Sequence, residues 1–279
     1  MSYKTYWENY YKSHAAPQKE SRFAAFVCGQ IPRGAALLEL GCGDGRDALF
    51  FAKNGCNVCA IDQASSEIAY LNAHYAQDAN LRFVAGDFTA LAGFDLAPSS
   101  FDCVYSRFTL HSIDAEAQTR VFRAALGLLK DGGIFAIETR GTKNALYGKG
   151  EPVSGQKDAF IHDNHYRRFV HFDAVVSELC ATAPGAGGGG GDFSASLQPK
   201  TQASPRLATQ TTFLSAFSAK KCAARFLDAK QILRNISLKS LTCIPKMHVA
   251  TKPQSKSSIC LVIPKFSIQN TSSFQRKTA

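Results

Sequence analysis

The stretch Leu37-Leu38-Glu39-Leu40-Gly41-Cys42-Gly43-Asp44-Gly45-Arg46-Asp47 joins an apolar run, a glycine-rich turn and the start of a helix-forming run. Ala35 to Leu40 has the nearly continuous apolar character of a strand buried on both faces. Arg46 to Asn54 carries Ala48, Leu49, Phe50, Phe51 and Ala52 and reads as a helix with an apolar face. Glycines between them let the backbone take angles closed to other residues and let a ligand lie against the main chain. Asp62 stands twenty-one residues after Gly41, at the end of a second strand, Asn57 to Ile61. An acid there can accept hydrogen bonds from both hydroxyls of a ribose. The two features together describe an adenosine-binding site.

Outward from that stretch, helix and strand alternate. A helix is expected from Ser65 to about Ala76, then a strand, Leu81 to Ala85, running into Gly86-Asp87-Phe88. Phe101 to Ser106 is a fourth strand, Asp114 to Lys130 a helix, and Gly132-Gly133 turns the chain into a fifth strand, Ile134 to Thr139. Upstream, Tyr3 to His14 is an aromatic-rich helix candidate, and Ser21 caps a second helix running to about Gln30. Phe172 to Cys180 is the last helix candidate. The series predicts an α/β fold, a three-layer α/β/α Rossmann-like parallel sheet with right-handed crossovers, over residues 1–183.

The turn also discriminates between adenosine ligands. Its spacing is G-x-G-x-G, with Glu39 just ahead and Asp44 inside it. Two acids beside a helix N-terminus repel a pyrophosphate, which draws on that positive end of the dipole. They suit a cation carrying an amine and a sulfonium. No G-x-x-x-x-G-K-[ST] occurs, which argues against a nucleotide triphosphatase.

Over residues 20–140, and more loosely over 1–180, the chain resembles the class I S-adenosylmethionine-dependent methyltransferases. The resemblance implies that the turn Glu39, Gly41, Cys42, Gly43, Asp44 and Gly45 lies along the methionine part of S-adenosylmethionine. It implies that Asp62, followed by Gln63, holds the ribose, and that Asp87 and Phe88 meet the adenine. The fourth strand, Phe101 to Ser106, would end under the reactive methyl, and Leu129-Lys130-Asp131-Gly132-Gly133 matches the turn before strand five. Ser106-Arg107-Phe108-Thr109-Leu110-His111, Ile137-Glu138-Thr139-Arg140, His165-Tyr166-Arg167-Arg168-Phe169 and Tyr6-Trp7-Glu8-Asn9-Tyr10-Tyr11 resemble a bacterial subgroup acting on small molecules. That implies a metabolite, sugar or glycan-precursor acceptor. Nucleic-acid amino-methyltransferases carry Asn/Asp-Pro-Pro-Tyr after strand four, where this chain has Ser106-Arg107-Phe108-Thr109. One departure stands out: the family's closing antiparallel hairpin is missing or atypical. Ile244 to Ala250 and Ile259 to Ile268 are the remaining strand candidates; without them strand five is an exposed apolar edge.

Several residues are acceptor candidates. His111 lies just past strand four and can serve as a general base with a pKa near neutrality, or simply pack the next helix. Arg107 can touch the acceptor or pair with Glu138. Glu138 and Arg140 end strand five at the same sheet edge. Arg167 and Arg168, beside His165 and Tyr166, can hold a phosphate or carboxylate or be a solvated pair. Trp7, with Tyr6, Tyr10 and Tyr11, can lid the cofactor, where a ring could face the sulfonium, or pack the core. Cys56-Asn57-Val58-Cys59 has no second pair, so no metal site is expected.

Charge and composition divide the chain. Of its 279 residues, the first 183 hold 18 Lys and Arg against 20 Asp and Glu, and the last 96 hold 14 against two. The net +10 therefore belongs to the C-terminal third, and the enzyme-like portion has no footprint for nucleic acid. Pro184-Gly185-Ala186 and the five glycines to Gly191 read as a linker, residues 184–191. Residues 192–279 hold no Gly, where roughly six are expected. That segment reads as a basic disordered tail, a small module, or an out-of-frame product of a slipped G-rich repeat. The nine cysteines are scattered and read as reduced cytosolic thiols. No apolar run approaches 18 residues and the N-terminal stretch lacks a signal-like core, so membrane insertion and export are not expected. The expected protein is a cytoplasmic methyltransferase with a small-molecule partner, its oligomeric state open. The rival expectation is an inactive cofactor-binding fold with a disrupted C-terminal edge.

Overall fold

Ser21 starts the first helix by accepting the Ala24 N–H on its hydroxyl at 2.9 Å, so α1 runs Arg22–Cys28. The computed structural model of the chain describes residues 6–7, 17–75, 77–182 and 258–265. The chain divides into two units, Met1–Ala186 with Ile244–Ala279, and Gly187–Cys243. The second lies outside the described residues, as do the remainder of the Tyr3 to His14 helix candidate, the linker at 184–191 and the Ile244 to Ala250 strand candidate.

After α1 come β1 (Ala36–Leu40), α2 (Arg46–Lys53), β2 (Asn57–Asp62), α3 (Ser65–Tyr75) and β3 (Leu81–Ala85). A 3₁₀ turn (Phe88–Gly93) leads to β4 (Phe101–Arg107), a second one (Leu110–Ser112) to α4 (Ala115–Leu128), and then β5 (Leu129–Arg140) follows. The sheet order is β3-β2-β1-β4-β5, all parallel. Strand alternation sends successive apolar side chains into two core layers. Leu38, Leu40 and Val104 join α4's Val121 and Phe122 on one face, while Leu37, Cys103 and Tyr105 join α2's Phe51 on the other. Among the described residues no helix is long and apolar enough to cross a membrane.

Three features depart from the sequence expectations. The helix expected to reach Lys130 stops at Leu128, because Leu129 pairs with Phe101 of β4 and the Lys130 ammonium meets the Asp102 carboxylate at 2.8 Å. Tertiary pairing overrides local helix preference there. Beyond β5 stands a small antiparallel sheet that the sequence reading did not foresee: β6 (Glu151–Pro152), β7 (Ala159–His162) and β8 (His165–Arg168). Asp163 and Asn164, with φ of 53° and 57°, make its two-residue hairpin turn. It is stitched to the end of β5 by the Val170 N–H donating to the Arg140 carbonyl at 3.1 Å. α5 (Phe172–Thr182) then packs Val175, Val176 and Leu179 into the core.

The third departure is the sheet's far edge. β9, Ser258–Pro264, lies antiparallel on β5 with Ile137 opposite Leu261 and Ala136 opposite Val262. It comes from the segment that reads in sequence as tail, and from the Ile259 to Ile268 strand candidate. Leu261 and Val262 are buried in the two opposite core layers, which stabilises by about 1.5–3 kcal/mol per side chain. Lys265 fastens the strand's end: its ammonium donates to the Leu129 carbonyl at 2.6 Å and its N–H to the Gly133 carbonyl at 2.7 Å. Among the described residues one strand, β9, thus occupies the place next to β5 where the family resemblance implies a hairpin.

Candidate functional site

Strand order reverses between β1 and β4, and a crevice opens there at the carboxyl ends of the parallel strands. The turn after β1 is fixed by N–H groups of Gly41 and Cys42 donating to the Ile61 carbonyl, at 2.8 and 3.0 Å. Gly43 N–H donates to the Asp62 carboxylate at 2.9 Å, and Ala64 N–H to its other oxygen at 2.9 Å. Asp62 therefore holds the glycine turn to the end of β2, and it borders the crevice. Gly41 has φ of 71° and Thr109 sits where a Cβ would be, so only glycine fits.

The crevice holds a cavity of about 320 Å³. One side is acidic, formed by Glu39, Asp44 and Asp62. Asp44 accepts the Gln18 N–H at 3.0 Å. Glu39 is 3% exposed, and among the described residues its Oε2 has no hydrogen-bond partner. Burial pushes its carboxyl well above the usual range; Asp47, Asp44 and Asp62 push the same way and Arg107 opposes. A buried, unpartnered carboxyl beside further acids is costly until a cation reaches it. Asp47, by contrast, is structural: it accepts the Ser21 N–H and hydroxyl at 2.7 and 2.8 Å and the Tyr105 hydroxyl at 2.9 Å. This ties the start of α1 to the start of α2.

The other side is basic and aromatic. Arg107 is paired with Glu138 at 2.9 Å, which is the pairing that the sequence offered as one reading. Arg107 and Arg140 flank the Phe108 ring, their guanidinium carbons 4.6 and 5.1 Å from its centre. Phe108 has φ of 53°, a strained angle for a bulky residue, and its N–H donates to the Glu138 carbonyl at 2.7 Å. His111 and His165 stand with ring centres 5.9 Å apart, and the Tyr6 ring stacks on His165 at 4.3 Å with Trp7 edge-on to both.

The expectation of a near-neutral pKa for His111 is overturned. Burial, then Arg140, His165 and Arg167, push it well below the ordinary imidazole value. His165 is pushed down to about 4 by burial, Arg167 and Arg140. Both rings are neutral at pH 7, and a proton on either one meets cations already in place.

The structure divides the expected site residues. Glu39, Gly41, Cys42, Gly43, Asp44, Asp62, Gln63, Phe88, Trp7, Arg107, His111, Arg140, His165 and Arg167 all border the cavity. Gly45, with φ of 73°, caps α2 behind the turn. Asp87 is exposed and caps the 3₁₀ turn through the Thr89 N–H at 2.8 Å. Ser106 is buried against the Thr109 hydroxyl. Strand alternation splits the four-residue run of β8: His165 and Arg167 face the cavity, whereas Tyr166 bonds Gln156 and Arg168 bonds the Ile113 carbonyl and Gln118. Tyr6, named with Trp7 as a lid candidate, borders the cavity too, and Phe108, Thr109 and Gln18 border it without having been singled out as site residues. For Phe108 and Thr109 the available signal was their place directly after strand four.

The chain is similar in sequence to known methyltransferases. A family profile described as a methyltransferase domain matches residues 37–133. A malonyl-[acyl-carrier protein] O-methyltransferase from Enterobacter lignolyticus (strain SCF1) is 29% identical over 173 residues, 61% of this chain and 62% of that protein. A methyltransferase of Geobacillus sp. (strain WCH70), whose name gives no substrate, is 30% identical over 149 residues, 51% of this chain and 59% of that one. The chain thus spans about six-tenths of the length of these curated relatives. The crystal structure of Burkholderia thailandensis 1,6-didemethyltoxoflavin-N1-methyltransferase is 23% identical, covers 58% of this chain and 65% of that chain, and has a TM-score of 0.46.

Proposed function

We propose that this protein, whose residues 37–133 match a methyltransferase-domain profile, is a class I S-adenosylmethionine-dependent methyltransferase that transfers a methyl group to a small acceptor, a metabolite or sugar precursor, bound in the same cavity. The observation that carries this reading is the acidic side of the cavity: the buried Glu39, whose Oε2 has no hydrogen-bond partner among the described residues, beside Asp44 and Asp62, ahead of a turn where Gly41 leaves no room for a Cβ. That donor set suits a ligand with an amine, a sulfonium and a ribose, and not a pyrophosphate.

On this reading the turn from Gly41 to Gly43, with Glu39 and Asp44, holds the amino-acid end of S-adenosylmethionine. Asp62 takes the ribose hydroxyls, and Gln63 and Phe88 border the base. When bound, the cofactor supplies an electrophilic methyl on a sulfonium. The chain's own residues position, neutralise charge and exclude water. Tyr6 and Trp7 close over His165, and Phe108 is held at the end of β4 between two guanidinium groups. His111, neutral and buried, can accept a proton through a ring nitrogen from an acceptor that must lose one. Burial first, then Arg140, His165 and Arg167, depress its pKa and make it a weak base; negative charge entering the cavity would offset the neighbours' share. The seating of β9 on β5 supports an intact, active fold over one with a damaged edge.

Calorimetric titration with S-adenosylmethionine and S-adenosylhomocysteine tests the cofactor half. Micromolar binding is expected, lost in Asp62→Ala. Unchanged affinity in a folded Asp62→Ala protein would remove this site from consideration.

A further inference from the structure

The cavity is divided by charge, and among the described residues two arginines of its basic side have no ion pair. Arg107 is neutralised by Glu138. Arg140 and Arg167 have no ion pair among the described residues, and the buried Nε of Arg140 has no hydrogen-bond partner there either. Glu138, already bonded to Arg107, is the carboxylate whose charge bears on Arg140. Arg167 is fixed in place, one terminal nitrogen donating to the His162 and His165 carbonyls at 2.7 and 3.4 Å. The two histidines between these groups are neutral and bring no negative charge. Among the described residues these two guanidinium groups have no paired carboxylate, and a ligand oxyanion would supply the missing partner.

We propose that Arg140 and Arg167 form an anion-holding subsite for the acceptor, so that the acceptor is a small molecule bearing a carboxylate or phosphate group. This rests on the cofactor occupying the acidic side of the same cavity. The two arginines come from different elements, β5 and β8, which meet where Val170 N–H bonds the Arg140 carbonyl. Planar guanidinium groups reaching one oxyanion from two directions fix its orientation as well as its charge. The Phe108 ring lies beside the Arg140 guanidinium, whose carbon is 5.1 Å from its centre, and is held there at a local backbone cost. The subsite thereby places the rest of the acceptor between the basic and acidic sides, over the glycine turn.

The test uses the full-length protein, free and saturated with S-adenosylhomocysteine. Inorganic phosphate, acetate and, as a control at equal ionic strength, chloride are titrated calorimetrically and in thermal melts. Phosphate or acetate is expected to bind and raise the melting temperature where chloride does not. Arg140→Gln is expected to weaken that binding about tenfold or more, with S-adenosylhomocysteine affinity unchanged within about twofold. If Arg140→Gln does not fold, Arg167→Gln carries the same expectation. Preference for phosphate points to a phosphomonoester acceptor, and equal or stronger acetate binding to a carboxylate. Chloride matching both anions, or a folded variant binding them as wild type does, overturns the subsite while leaving the cofactor site standing. Anion binding in a protein that ignores S-adenosylhomocysteine would keep the subsite and sink the methyltransferase reading.

Discussion

At the scale of single residues, Gly41 and Tyr105 show two kinds of dependence. Gly41→Ala would place a methyl group against Thr109 at φ of 71°. The strain alone is about 1–2 kcal/mol, and the turn that the ligand must follow would shift. We expect S-adenosylhomocysteine affinity to fall at least about tenfold, read by calorimetry. Tyr105 is buried, and its hydroxyl donates to the Asp47 carboxylate that also receives two bonds from Ser21. Tyr105→Phe should cost about 1.5–3 kcal/mol in a urea melt. The glycine turn, Glu39 and Asp62 were legible in sequence because their geometry is local: a strand end, a turn, and an acid one strand later. The neutrality of His111 was not, since it depends first on burial and then on Arg140, His165 and Arg167, which arrive from β5 and β8.

At the scale of elements, alternation decides which side chains act. The run His165-Tyr166-Arg167-Arg168 read as one cluster, but a strand gives it two faces, and the cavity receives His165 and Arg167. The hairpin that makes it a strand turns at Asp163-Asn164, without the glycine that marks such turns most plainly. The five parallel strands were legible because each is an apolar run bounded by helix or turn signals. β9 could be named only as a candidate, because strand pairing with β5 is a long-range choice that local pattern does not encode. Its contribution can be measured. Leu261 is 1% exposed, and Leu261→Asp would bury a carboxylate in the apolar core layer beside Ile137 of β5. A loss of more than about 3 kcal/mol is expected, visible as a lower melting temperature and a smaller soluble fraction. Equal stability of the folded variant would mean that β9 does not hold the sheet edge.

At the scale of the whole molecule, the buried imidazoles set an acid limit. His165 is held down to about 4 and His111 well below its ordinary value, whereas in the unfolded chain both titrate near 6.5. Between those values the unfolded chain binds more protons than the folded one, so acid favours unfolding. The stability that these neutral rings permit is complete above about pH 6.5 and declines as pH falls toward 4. Urea midpoints measured at pH 7 and pH 5 should differ for the wild type and differ less for His165→Gln. An identical pH slope in the two proteins would remove His165 from this account.

The pairing of β9 with β5 has a consequence in time. Arg140 lies opposite Ser258, so more than a hundred residues separate the partners in the chain. At a synthesis rate of about 5–20 residues per second, strand five waits roughly 6–24 s for its neighbour. During that interval Ile134, Ala136 and Ile137 sit on an open strand edge whose N–H and C=O groups are free to recruit another chain. Yield of the native protein is therefore set during translation as much as by final stability, and slower translation or crowded expression should divert more of it before the last strand arrives.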